Sequence, residues 1–134
     1  MSLNYDNIRG LLVTQIQTVQ GLPQFQNENT RIVLGVLPWC RASLLPAEPN
    51  ALTVGPNGQN EHQGLLQLDL FYPQDSGTST PNAMASAVMA ALPRGYIAVN
   101  GSTNVHVRMA HQQTAYQLER WYVVPVVVRW ASYA

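Results

Sequence analysis

The chain has 134 residues, seven arginines balancing seven acidic residues, 46% hydrophobic residues and only 10% charged ones. That length suits one domain with a real core, and the hydrophobic fraction argues against disorder. Zero net charge gives no electrostatic footprint for nucleic acid or an anionic membrane, and the absence of lysine disfavours Schiff-base and P-loop chemistry.

Ordinary soluble domains carry roughly 25% charged residues. Here polarity comes from amides instead, in runs such as Gln24-Phe25-Gln26-Asn27-Glu28-Asn29 and Asn57-Gly58-Gln59-Asn60. A surface short of charge is weakly protected against self-association, which points to an assembly subunit. Cys40 is the single cysteine and cannot form an internal disulfide. The N-terminus lacks the basic and apolar regions of a signal peptide, and no apolar run approaches the roughly 18 residues of a membrane span. The expectation is a soluble, cytosol-made single domain over 1–134.

Tyr5, Ile8, Leu12, Ile16 and Val19 recur at helical spacing, with Ser2 or Asn4 as cap and Gly21 and Pro23 as stop. Gly10 inside this helix costs about 1 kcal/mol against alanine. Residues 24–30 read as a loop, and 32–37 as an apolar segment interrupted by Gly35 and ended by Pro38. Trp39 to Leu45 reads as a strand. From about 47 to 62 the chain carries turn chemistry, either a long mobile loop or a hairpin arm with Asn57-Gly58 at its tip.

Gly64 to Tyr72 is the clearest strand, with Leu66, Leu68, Leu70 and Tyr72 on one face and Leu65, Gln67, Asp69 and Phe71 on the other. Thr80 as cap and Pro81 at the first position open a second helix whose stripe is Met84, Ala87, Val88, Ala91 and Leu92, ended by Pro93. Residues 96–99 and 105–109 flank an Asn100-Gly101 turn signal. The valine-rich segment from Trp121 to Trp130 is a strand, and Pro125 in its middle, unable to donate, places it on an edge or at a bulge. An apolar edge needs a cover, and a neighbouring subunit is one. The fold class expected is α+β: a mostly antiparallel or mixed sheet of four to five strands with two helices packed on one face.

No pattern carries catalysis. His106 and His111 are five apart, the wrong parity for one strand face, and His62 beside Glu61 is an acid–base pair only by adjacency. Cys40 shares a face with Ala42 and Leu44, so an inert core thiol outweighs a nucleophile. Trp39, Trp121 and Trp130 suit core or subunit contacts better than base stacking in a chain with no basic stripe. No catalytic, cofactor or metal residue is assigned.

The segments Leu44-Leu45-Pro46-Ala47-Glu48-Pro49, His62-Gln63-Gly64-Leu65-Leu66-Gln67-Leu68-Asp69-Leu70-Phe71-Tyr72-Pro73 and Trp121-Tyr122-Val123-Val124-Pro125-Val126 carry a resemblance. Together with the N-terminal and alanine-rich helices, they resemble a family of bacteriophage and prophage minor tail proteins related to the tail terminator of long-tailed phages. The resemblance implies an α+β subunit of a closed six-fold homo-oligomeric ring. Such a ring caps the tail tube protein, meets the head–tail connector proteins and passes DNA only as cargo. It also implies a place in the virion tail, assembled in the bacterial host cytoplasm, with no cofactor and no membrane. The interface candidates are Arg41, Glu48, Asn57, Gly58, His62, Arg94, Arg108, Trp121, Pro125 and Arg129. A monomeric minor tail or head–tail adaptor is the first alternative, ahead of a small hydrolase or a single-strand nucleic-acid-binding module.

Overall fold

Asn4 opens the first helix by accepting the Asp6 N–H on its Oδ1 at 2.9 Å, satisfying one of the helix's unpaired donors. The computed structural model describes residues 4–26, 38–75 and 77–134. In chain order these form α1 (Tyr5–Ile16), β1 (Gln24–Gln26), β2 (Trp39–Pro46), β3 (Asn50–Ala51), β4 (Asn60–Pro73), α2 (Ser79–Ala91), β5 (Ile97–Asn100), β6 (Thr103–Gln112), β7 (Tyr116–Leu118) and β8 (Trp121–Tyr133). The apolar reading of 32–37 and the alternative cap Ser2 lie outside the described residues.

All eight strands join one curled sheet in the order β1-β2-β4-β8-β6-β5, with β3 paired to β4 and β7 to β8. β1 runs parallel to β2, and the other pairings are antiparallel. The class is α+β and the sheet is mixed, but the expected four to five strands fall short. The uncounted strands are Gln24–Gln26, Asn50–Ala51 and Tyr116–Leu118. They are too short and too polar to show alternation; a neighbour's free hydrogen-bonding edge recruits them, and no periodicity announces that.

One face of the sheet carries the core. Cys40 and Ala42 on β2, Leu66, Leu68 and Leu70 on β4, and Val124, Val126, Val128 and Trp130 on β8 pack in one cluster with both helices. The helices contribute Ile8, Leu12 and Ile16 from α1, and Ala85 and Val88 from α2 with Leu92 at its end. Each such side chain, fully buried, contributes roughly 1.5–3 kcal/mol by leaving water. α1 ends at Ile16, short of the expected Val19, which packs on the core from the turn that follows. α2 starts at Ser79, so Pro81 stands third rather than first, and Thr78 occupies the cap position. The β5–β6 turn is Gly101-Ser102, since Asn100 pairs with Thr103; Gly101 takes the positive φ of 61° that this tight reversal needs.

β8 is the central strand, not an edge. It pairs with β4 along its whole length and on its other side with β7 and then β6. Pro125 is tolerated there because of where its nitrogen points. Its carbonyl accepts the Gln113 N–H at 2.9 Å, and the nitrogen and carbonyl of one strand residue face the same neighbour. That side is the gap between the end of β6 at Gln112 and the start of β7 at Tyr116. Opposite, Asp69 and Pro125 meet as a pair that exchanges no ladder hydrogen bonds.

A register shift between Val107 and Met109 leaves Arg108 as the extra residue of a bulge in β6. This overturns the parity argument for the histidines. His106 stands opposite Ala131 and His111 opposite Val127, both on the face away from the helices. Four residues of β8 separate those positions, about 13 Å, so the imidazoles still do not converge. Among the described residues no group of three metal-ligating side chains comes together.

Candidate interaction surface

The helix-free face of the sheet is arranged in rows set by strand register. The first row across four strands is Leu45, Leu65, Arg129 and Met109. Leu45 and Met109 are 47% and 48% exposed, and Leu65 is half-buried. Next come Ser43, Gln67, Val127 and His111, then Arg41, Asp69 and Pro125. The last rows hold Trp39, Phe71, Val123 and Tyr116, with Trp121 at the far end.

At that far end Trp39, Phe71, Trp121 and Val123 form a second buried cluster. Trp39 stacks on Phe71 with centroids 3.9 Å apart, and Trp121 meets both edge-on at 6.1 and 6.5 Å. The Arg41 guanidinium lies over Phe71 and Trp39 and stands 3.7 Å from the Asp69 carboxylate, which also accepts from Gln67 Nε2 at 2.9 Å. Burial, and after it the Asp69 charge, push the Tyr116 phenol up, as expected for a ring beside this pair. Trp39, Trp121 and Trp130 are 6%, 3% and 1% exposed, so none offers a face on which a base could stack.

The opposite end is open. An exposed groove of about 620 Å³ is bordered by the first row and by Pro46, Gln63 and Arg94. It brings together Arg94, Arg108 and Arg129, three of the interface candidates, which are far apart in sequence. The bulge sends Arg108 Nη2 to Glu61 Oε2 at 2.7 Å and to the Tyr133 hydroxyl at 3.2 Å. The hydrogen bond from Arg108 holds the Glu61 carboxyl below its ordinary value, against a weaker opposing effect of burial. Arg94 and Arg129 are exposed and have no side-chain partner among the described residues.

Glu48 lies on the link between β2 and β3, and Asn57 and Gly58 on the hairpin in which β3 pairs with Asn60 and Glu61. Its turn closes by the Gly58 N–H to the Gly55 carbonyl at 3.1 Å. A side chain at Gly58 would meet the Thr53 carbonyl at 2.5 Å. Leu52 and Val54 point outward from this hairpin, Val54 fully exposed. His62 is half-buried opposite Ser132. Trp121 and Pro125 are interior residues of the folded chain.

Residue-type reasoning missed Leu45, Leu65 and Met109 as surface-forming residues, since only register reveals that they share a row. Cys40 carries no nucleophilic chemistry: burial pushes its thiol up to about 12, and it donates to the Pro23 carbonyl at 3.5 Å. No described helix is long and apolar enough to cross a membrane.

The family described as "Phage tail terminator protein" matches residues 7–130. A solved structure superimposes with a TM-score of 0.76 at 16% identity, over 98% of this chain and 96% of that one, a likeness of fold alone. Comparison with curated proteins yields no match. Residues 7–130 are nearly the whole chain and include the helices, the central strands and the arginine-rimmed groove, so this protein belongs to the phage tail terminator family and has a structural role in phage tail assembly.

Proposed function

We propose that the chain acts as the subunit of a homo-oligomeric ring, six-fold in symmetry, that closes the end of a phage tail tube. In this reading one rim of the ring meets the tail tube protein, the other meets head–tail connector proteins, and DNA passes through the centre. The observation that carries it is the unequal treatment of the two sheet faces. The helix-bearing face is covered by α1 and α2, whereas the other leaves Leu45 and Met109 about half exposed beside two unpartnered arginines. Cyclic rings use heterologous contacts in which each copy offers different patches to its two neighbours. A face with an open, arginine-bordered groove at one end and a packed aromatic cluster at the other supplies that polarity. A formal charge of zero suits a channel that lets DNA slide, because tight phosphate contacts need a basic lining.

Light scattering on a sized sample over a wide concentration range tests the reading. A discrete hexamer, or a monomer converting to one, is expected. A mass that stays monomeric at every concentration, with and without tail tube protein, rejects the ring and leaves a monomeric head–tail adaptor.

A further inference from the structure

We infer that the groove holding Arg94 and Arg129 receives the turn at Leu118-Glu119 of the next copy, a head-to-tail contact that rests on the ring reading above. The groove needs an occupant that is apolar in the middle and anionic at its border. This chain carries such a segment at the other end of the same sheet. β7 and β8 are joined by the two-residue turn Glu119-Arg120, since Leu118 pairs with Trp121. Leu118 and Tyr116 beside it are 47% and 43% exposed. Asp75 stands next to this turn, because the Gln74 N–H donates to the Arg120 carbonyl at 3.0 Å.

Asp75 and Glu119 both take a positive φ, 65° and 53°, a backbone that non-glycine residues adopt mainly at tight reversals. Both are exposed, and neither carboxylate has a partner among the described residues. Arg120 in the same turn is engaged, with its guanidinium 5.6 Å from the Trp121 ring. Two unpartnered carboxylates at the turn that follows Leu118 therefore match two unpartnered guanidiniums beside Leu65 and Met109. They cannot meet within one copy: Trp121 and Arg129 are eight residues apart on β8, about 26 Å along an extended strand. Complementary patches at opposite ends of one subunit produce a head-to-tail contact, whose repetition closes a ring.

The test is a charge exchange in the full chain. One variant carries Arg94→Glu with Arg129→Glu; the other carries Asp75→Arg with Glu119→Arg. All four positions are exposed, and far-UV circular dichroism checks that each variant folds. Arg94→Gln with Arg129→Gln is the milder version should the reversals unfold the chain. Each reversed variant alone should need at least about tenfold more protein to assemble than the unaltered chain, since like charges then face each other. Mixed in equal amounts, they should assemble again, with native mass spectrometry showing equal numbers of each in an even-membered ring. Unchanged assembly of either variant overturns the contact while leaving the ring intact. Loss of assembly without rescue on mixing also overturns the contact. A wild-type chain that never assembles removes both the contact and the ring.

Discussion

Gly64 lies where the Trp130 indole packs, and a side chain at that glycine would fall 2.8 Å from Trp130 Cζ2. The same added carbon would stand 2.5 Å from the Leu45 carbonyl oxygen, a backbone atom held in the β2–β4 ladder. Trp130 is among the largest fully buried side chains, so this close approach of backbone to ring fixes how β4 and β8 pack beneath the helices.

Gly64→Ala should therefore destabilise the fold by about 1–3 kcal/mol, the usual cost of overpacking where neither neighbour can retreat. Urea denaturation measures the loss, and near-UV circular dichroism should show a changed Trp130 environment. An unchanged midpoint would mean that β2 yields at Leu45.

Gly10 is the opposite case. It stands on the exposed side of α1, and a side chain there would meet nothing within 4 Å. Gly10→Ala should raise stability by about 0.5–1 kcal/mol, because alanine loses less backbone freedom in a helix. Thermal unfolding should show the rise as a higher Tm.

Pro125→Ala should leave the topology intact and lower stability by about 0.4–1 kcal/mol. The new N–H would face the Gln113 backbone, one step past the last β6–β8 pair at Gln112 and Val126, while alanine gives the unfolded chain more freedom than proline does. Since β8 is flanked on both sides, the variant should not gain a sticky edge. Size-exclusion chromatography should show the same association behaviour as the unaltered chain, and chemical denaturation the reduced midpoint.

The Glu61–Arg108 pair ties the start of β4 to the β6 bulge, and its pH dependence has a defined sign. The Glu61 carboxyl lies lower in the folded chain than its ordinary 4.5, so its contribution is complete above that value and fades as pH falls through the folded value. Carboxyl chemical shifts followed by NMR should show Glu61 titrating below an unstructured glutamate. Glu61→Gln should abolish that component of the acid transition. In Arg108→Gln, Glu61 should titrate higher than in the unaltered chain, because its strongest charge-stabilising contact is gone.

Local patterning alone determined α1, α2 and the long apolar strands, since Ile8, Leu12 and Ile16 repeat with the helix and Leu66, Leu68 and Leu70 with the strand. The family resemblance was also legible, because its Gly64–Pro73 and Trp121–Val126 segments are contiguous in the chain. Tertiary pairing decided the rest. β1, β3 and β7 exist only because a neighbouring strand offers hydrogen bonds, and Pro125 is central because β6 ends and β7 begins beside it. The bulge at Arg108 reversed the parity expected for His106 and His111. Arg94, Arg108 and Arg129 share a groove because register aligns Leu45, Leu65, Arg129 and Met109 across four strands. Register belongs to the pairing of distant segments, and a one-residue slip turns every side chain to the opposite face.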